Sequence, residues 1–159
     1  MVKQNSKINN GEVAPNFVAT STAGEIKLSD LKGKNIILYF YPKDDTPGCT
    51  IEAQDFSKKV QDFDKLDSII IGVSKDNIAS HEKFINKYSL NFDLIADEDK
   101  SLCQLYQVIK EKSMFGKKYQ GIERSTFLID RLGKVVKVWR NVKVKGHVDE
   151  VYLELKNSL

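Results

Sequence analysis

The chain has 159 residues, of which 41% are hydrophobic and 30% are charged, and its formal net charge is +3. This length and composition predict one globular domain, residues 1–159, that can bury a core without disulfide or metal staples. The charge is too mild to indicate a nucleic-acid partner. The densest basic run, at 134–145, is interleaved with apolar residues, as on the solvated face of a strand.

Two cysteines, Cys49 and Cys103, and two histidines, His81 and His147, are the residues that could bring redox or metal chemistry. The cysteines form no Cys-x-x-Cys motif, which excludes a dithiol oxidoreductase of the thioredoxin type. The histidines lack metal-ligand spacing, so we expect neither a metal nor another cofactor. Residues 1–13 are polar and lack the apolar core of a signal peptide, and no run has the length of a membrane span. We therefore expect a cytoplasmic protein without a membrane partner.

The hydrophobic pattern predicts strands that alternate with helices along the chain. The predicted elements are, in order, a hairpin across 14–28, a helical turn at 29–33, a strand at 35–41, a helix beginning near residue 49, a strand at 68–74, a helix at 78–88, a strand at 92–96, a short helix at 102–109, a loop or weak hairpin at 113–121, a hairpin of 124–130 with 134–139, and a closing helix from 148.

This order indicates the fold class. The run at 35–41 is apolar throughout, which is typical of a central strand buried on both faces. Alternating strands and helices pair in parallel through crossovers, and the last hairpin adds an antiparallel edge. We expect an α/β protein with a mixed central β-sheet, helices on both faces and an N-terminal β-hairpin, which is the plan of a thioredoxin-like fold.

Cys49 is the residue with the clearest chemical signal, because it follows a loop and begins a predicted helix. The thiolate is the reactive form of cysteine, and a helix N-terminus favours negative charge. Pro47 suits the first turn of a helix, and Gly48 lets a small substrate approach the backbone. The Thr46 hydroxyl, three residues before the sulfur, can donate to the thiolate or accept from a hydroperoxide. A plain helix cap is the alternative role of Thr46.

A cation near Cys49 would further favour the thiolate. Lys43 is available in the same loop, and Arg124 stands at the mouth of a later predicted strand. Arg124 is the better candidate, because a planar guanidinium can contact sulfur and substrate oxygen together. An exposed arginine at a strand end is the alternative reading of Arg124.

The run at 42–49, Pro-Lys-Asp-Asp-Thr-Pro-Gly-Cys, resembles the Pro-x-x-x-Thr-x-x-Cys motif of the peroxiredoxins. The longer run at 40–50 is similar to the bacterioferritin-comigratory-protein (PrxQ) subfamily, and the similarity extends through 14–17, 72–74 and 121–130. The resemblance implies a thioredoxin fold. It also implies an antioxidant peroxidase that reduces hydrogen peroxide and organic hydroperoxides.

The resemblance also implies roles for individual residues. Cys49 would be the peroxidatic cysteine that forms a sulfenic acid, and Thr46 would hydrogen-bond the thiolate and the peroxide. Pro42 and Gly48 would line the substrate pocket, with Pro42 shielding it. Arg124 would activate both sulfur and peroxide.

One further residue, Glu52, matches a position that is Glu in the subfamily, so it is a candidate helper. A carboxylate at that place should by itself oppose thiolate formation.

The recycling step departs from the common pattern of the family. Many members carry a resolving cysteine five residues after the peroxidatic one, where this chain has Gln54, and others carry it in the next helix, which here has none. Cys103 is either a packing residue or an intramolecular resolving cysteine. We expect a 1-Cys-like enzyme, a monomer, whose reductant is an external thiol from thioredoxin, glutaredoxin or glutathione. Two rival readings are a non-enzymatic redox sensor and a thiol-independent binding module.

Overall fold

The computed structural model describes residues 7–159, so the first six residues of the predicted polar lead-in lie outside the described residues. The rest of the lead-in packs against the body of the protein. The backbone N–H of Ile8 donates to the side-chain oxygen of Gln107 at 2.7 Å, and that of Gly11 donates to the carbonyl of Val135 at 2.7 Å. In the described part of the chain, no helix is both long and apolar enough to cross a membrane.

Residues 7–159 form nine strands and four α-helices. The strands are β1 (Val18–Ser21), β2 (Gly24–Lys27), β3 (Asn35–Phe40), β4 (Ser68–Ser74), β5 (Asp93–Ala96), β6 (Ile109–Met114), β7 (Lys117–Ile122), β8 (Ser125–Ile129) and β9 (Val135–Trp139). The helices are α1 (Pro47–Lys65), α2 (Ile78–Tyr88), α3 (Ser101–Leu105) and α4 (His147–Ser158), with a 3-10 helix at Leu28–Leu31.

Seven strands form the central sheet, in the order β2-β1-β5-β4-β3-β8-β9. The strands β3, β4 and β5 are parallel, and the outer strands on both sides pair antiparallel. The expected mixed sheet and N-terminal hairpin are confirmed.

Every side chain of β3 is buried, as the apolar run predicts. Alternate residues point to opposite faces of a strand, and β3 accordingly contributes to two separate core clusters. Ile36, Leu38 and Phe40 lie on the face covered by α3, which we call the α3 face. Ile37 and Tyr39, together with Tyr41 directly after the strand, lie on the face covered by α1, α2 and α4, the α1 face.

The segment after α3 differs from the sequence prediction. The prediction of a helix through Ile109 is wrong, because the helix stops at Leu105 and Ile109 already begins β6. The predicted weak hairpin is a full two-stranded one, paired from Ile109–Ile122 to Met114–Lys117. Its two-residue turn has positive φ at Phe115 and Gly116, as in type I′ hairpin turns. Most of its side chains are exposed, which removes the alternation that normally reveals strands.

The strand registers determine which loops meet. Phe40 pairs with Val73 of β4 on one side and with Ser125 of β8 on the other. The parallel strands therefore end, and the antiparallel β8 begins, at one edge of the sheet. This places the loop after β3 beside the residue that precedes β8, Arg124.

Candidate active site

Cys49 lies in the first turn of α1, at the sheet edge just described. Thr46 is the N-cap residue in an extended conformation, and Pro47 is the first helical residue. The Thr46 carbonyl accepts the N–H of Thr50 at 2.8 Å and so closes the first turn. Cys49 is only 2% exposed. The sulfur is therefore held at the positive end of a 19-residue helix and largely shielded from bulk water.

Arg124 is the cation that meets the sulfur. Its Nη2 donates to Cys49 Sγ at 3.4 Å, and its Nη1 donates to Glu52 Oε1 at 2.7 Å. Burial by itself lowers the pKa of the Arg124 guanidinium. The charge and hydrogen bonds of Glu52 and Cys49 outweigh this effect of burial, so the pKa is raised.

Gly48 makes the approach of Arg124 to the helix start possible. A Cβ at residue 48 would lie 3.2 Å from Arg124 Nη2, which is tighter than ordinary packing. The guanidinium therefore occupies the space that a side chain would otherwise take.

Glu52 lies one turn after Cys49 and is fully buried. Burial raises the pKa of Glu52 to about 7, and the charge and hydrogen bond of Arg124 offset this only in part. Among residues 7–159, the second carboxyl oxygen, Oε2, has no hydrogen-bond partner. The residue that the sequence marks as a candidate helper is thus a buried carboxyl group with a raised pKa, fixed to the guanidinium that contacts the sulfur.

The loop residues have different surroundings. The Thr46 hydroxyl donates to the Lys43 carbonyl at 2.8 Å and so does not donate to sulfur. Its oxygen lone pairs remain able to accept. Pro42 is half-buried at the head of the loop, whereas the Lys43 side chain is exposed. Of the two candidate cations, the structure brings Arg124 and not Lys43 to Cys49.

Two residues at the site were missed by the sequence reasoning, Asp44 and His81. Both are buried, and their side chains meet at 2.7 Å beneath the loop that leads to Cys49. His81 occupies a helix position between the predicted apolar residues Ile78 and Phe84, and pattern reasoning passes over a histidine there. The adjacent acidic pair at 44–45 in a loop was the available signal.

Cys103 is not brought to Cys49. It belongs to the core cluster of the α3 face, whereas Cys49 belongs to that of the α1 face. Both cysteines are free. Burial raises the pKa of the Cys103 thiol, and a hydrogen bond and the charge of Asp97 raise it further.

Comparison with known proteins agrees with this geometry. The sequence profile described as the AhpC/TSA family matches residues 10–138. The chain belongs to the AhpC/TSA family. It is 52% identical to peroxiredoxin Bcp of Bacillus subtilis over 148 residues, 92% of this chain and 94% of the relative. It is 39% identical to peroxiredoxin Bcp of Escherichia coli K12 over 147 residues, 92% and 94% of the two chains.

Solved structures confirm the thioredoxin-like fold of this peroxiredoxin. Peroxiredoxin Q of Xanthomonas campestris superposes with a TM-score of 0.85 at 46% identity, covering 89% of this chain and 90% of that one. A PrxQ mutant of Xylella fastidiosa superposes with a TM-score of 0.91 at 38% identity, covering 97% and 99%. The predicted resemblance to the Bcp/PrxQ subfamily is confirmed, and with it the assignment as a thiol-dependent peroxidase.

Proposed function

We propose that this peroxiredoxin reduces hydrogen peroxide and organic hydroperoxides through Cys49 and is recycled by an external thiol. The main observation behind the proposal is that the Arg124 guanidinium donates one hydrogen bond to the Cys49 sulfur and another to Glu52. A Xanthomonas campestris relative at 45% identity is described for its alkyl peroxide reduction activity, which supports organic hydroperoxides as substrates.

The first step is attack of the Cys49 thiolate on the terminal oxygen of the hydroperoxide. A sulfur–oxygen bond forms, the oxygen–oxygen bond breaks, and the leaving oxygen departs as hydroxide or alkoxide. It takes up the proton equivalent that the thiol lost on ionisation and leaves as water or an alcohol, so Cys49 becomes a sulfenic acid. Arg124 and the backbone N–H groups of the first turn stabilise the charge that develops on the leaving oxygen.

The other residues of the loop bind and shield the peroxide. Because the Thr46 proton is engaged by the Lys43 carbonyl, the Thr46 oxygen is oriented to accept a hydrogen bond from the hydroperoxide. Pro42 shields the reacting atoms from water, and Gly48 leaves room for Arg124. Glu52 acts through Arg124, whose guanidinium it orients toward the sulfur.

The recycling step uses a thiol from outside the chain. Cys103 lies on the other face of the sheet, and Gln54 stands where many relatives carry a resolving cysteine. Thioredoxin, glutaredoxin or glutathione would reduce the sulfenic acid through a mixed disulfide. That the enzyme works in the cytoplasm as a monomer stays a prediction.

Steady-state turnover of hydrogen peroxide and an alkyl hydroperoxide with a thiol donor tests the proposal. We expect Cys49→Ser to fall to the background rate and Cys103→Ala, the matched control, to keep its rate within about twofold. Consumption of one equivalent without turnover would contradict catalysis and favour the redox sensor.

Intact mass after one equivalent of peroxide tests the recycling route. We expect the gain of one oxygen on Cys49. Loss of two hydrogens, mapped to a bond between Cys49 and Cys103, would contradict recycling by an external thiol.

A further inference from the structure

Helix α2 is hydrogen-bonded to the loop that leads to Cys49, and the loop residue that accepts these bonds is the buried carboxylate of Asp44. The Tyr41 hydroxyl donates to Oδ1 of Asp44 at 2.6 Å, and the Ser80 hydroxyl donates to Oδ2 at 2.8 Å. His81 Nδ1 lies 2.7 Å from the same Oδ2. Asp44 is 7% exposed and His81 is 0% exposed, so the contact is inside the protein.

Both ring nitrogens of His81 are engaged. Nε2 lies 2.9 Å from the carbonyl oxygen of Ile95, which can only accept, so Nε2 carries a proton. A second proton lies between Nδ1 and Asp44 Oδ2, because their 2.7 Å separation is a hydrogen bond between two groups that otherwise offer only lone pairs. These two hydrogen bonds tie His81 to β5 on one side and to the loop on the other.

Further contacts fix the same loop. The backbone N–H of Asp44 donates to Asp76 Oδ2 at 2.8 Å, and the Ser74 hydroxyl donates to that oxygen at 2.6 Å. The next residue, Asp45, has a φ of 57°, a conformation that costs energy for a residue with a Cβ. Lys87 of α2 donates to Asp45 Oδ2 at 2.8 Å on the exposed side of the loop.

These contacts reach the site through two residues of backbone. Asp44 is followed by Asp45 and then by Thr46, the residue that caps α1 and whose oxygen faces the peroxide in the proposed mechanism. Neither Asp44 nor His81 forms a hydrogen bond with Cys49 among residues 7–159. Any effect of the pair on catalysis would therefore pass through the backbone of the loop, which carries Pro42 before Asp44 and leads to Thr46 and the first turn of α1 after it.

We propose that Asp44 and His81 are positioning residues of the peroxidase site: their buried hydrogen-bonded pair fixes the loop so that Thr46 and the first turn of α1 face the peroxide. This inference rests on the proposed peroxidase function. A buried pair of this kind is a poor source of net stability, because desolvation consumes much of its attraction. Fully satisfied buried polar networks do, however, hold one local geometry.

The test compares Asp44→Ala and His81→Ala with Leu155→Ala, which removes a fully buried side chain near the far end of α4. The thermal midpoint of each variant is measured, and kcat/KM for hydrogen peroxide is measured below the lowest midpoint. We expect a fall of between about 10-fold and 100-fold in kcat/KM for the two loop variants, as for small misplacements of catalytic groups. Leu155→Ala should lose stability and keep kcat/KM within about twofold.

Asp44→Asn provides rescue by a conservative change. The Asn amide can donate to neutral His81 Nδ1 and its oxygen can accept from Tyr41, so the loop keeps its place without the charge. We expect Asp44→Asn to recover most of the activity that Asp44→Ala loses. If either alanine variant fails to fold, the double variant Tyr41→Phe with Ser80→Ala, which removes two contacts to Asp44, should still lower kcat/KM by about threefold or more.

Wild-type kcat/KM in Asp44→Ala and His81→Ala, or in the double variant, would overturn the proposal and leave the pair a role in stability alone. An Asp44→Asn variant as slow as Asp44→Ala would also overturn it, because geometry would then not be what the pair supplies. Failure of the proposed function looks different: the wild-type protein itself would not turn over peroxide.

Discussion

The two cysteines of this peroxiredoxin are equally buried and differ in the charge beside them. Cys49 is 2% exposed and receives a hydrogen bond from the Arg124 guanidinium at 3.4 Å. Cys103 is fully buried, and its neighbour is the Asp97 carboxylate, which adds to burial in raising the pKa of the thiol. Burial by itself does not make a thiol reactive or inert, and the sign of the neighbouring charge separates the two sites.

The N-termini of the two helices that carry these cysteines, α1 and α3, also differ in whether their backbone N–H groups already have a carboxylate partner. At α3, the Asp97 carboxylate accepts the N–H groups of Leu102 at 3.0 Å and Cys103 at 2.8 Å, so the donors of the first turn are used. At α1, no side-chain cap bond forms at Thr46 within the part of the chain that the structure describes. The N–H groups next to Cys49 are thus left to an incoming anion or peroxide, whereas those next to Cys103 already serve a carboxylate.

Removal of the cation should have the largest effect. We expect Arg124→Met to lower kcat/KM for hydrogen peroxide by about 100-fold to 1,000-fold, the usual loss when one donor to a developing oxyanion is deleted. Since the substitution would also leave Glu52 buried without a partner, the variant is best made together with Glu52→Gln, with Glu52→Gln alone as the control. Arg124→Met kinetics close to those of the wild type would contradict the comparison between the two cysteines.

Glu52, the carboxyl group near Cys49, should make the free energy of unfolding depend on pH. The pKa of Glu52 is about 7 in the folded chain and near its ordinary 4.5 when unfolded. The folded state therefore holds the extra proton between these values, and the unfolding free energy falls as the pH rises through this range. Over about 2.5 pKa units this amounts to at most about 3 kcal/mol.

Urea unfolding of wild type and Glu52→Gln at several pH values measures this contribution. The loss of stability between about pH 5 and pH 8 should be smaller in Glu52→Gln by up to about 3 kcal/mol. Parallel stability curves for the two proteins would show that Glu52 keeps an ordinary pKa, and that Arg124 alone determines the charge beside Cys49.

Removal of the charge beside Cys103 should have the smallest effect on catalysis. We expect Asp97→Asn to leave kcat/KM for peroxide unchanged and to cost about 1–3 kcal/mol of stability, because its NH2 group cannot accept the N–H of Leu102 or Cys103 as the carboxylate oxygen it replaces does. Mass spectrometry after peroxide treatment should still find oxygen on Cys49 only. Comparable oxidation of Cys103 in this variant would show that burial gives the thiol no protection of its own.

The sequence was sufficient for the residues that act locally. Cys49, Thr46 and Pro42 lie in one short run whose chemistry and family resemblance are both specific, and the apolar run that forms β3 is buried throughout as predicted. Arg124 was a candidate for its chemistry, but its contact with a sulfur 75 residues earlier depends on the pairing of Phe40 with Ser125. A hairpin can be predicted from sequence, whereas the register between distant strands depends on the whole sheet.

The rest of the site could not be predicted, because its partners are far apart in the chain and carry no periodic signal. Asp44 and His81 are 37 residues apart, and each looks ordinary in its own segment. The separation of the cysteines has a similar origin. Cys103 belongs to a helix of only five residues, and nothing in its local pattern indicates which face of the sheet that helix covers.

The contacts between α2 and the loop limit whether this catalytic sequence can be transferred to another protein. The motif at 42–49 looks like a portable unit, since it is short and continuous. Its shape, however, is held by Ser80, His81 and Lys87 from α2 and by Asp76 after β4. To transplant the reactive thiol, a designer would also have to transfer α2 and the C-terminal ends of β4 and β5. The smallest transferable unit is therefore a set of packed elements and not one stretch of sequence.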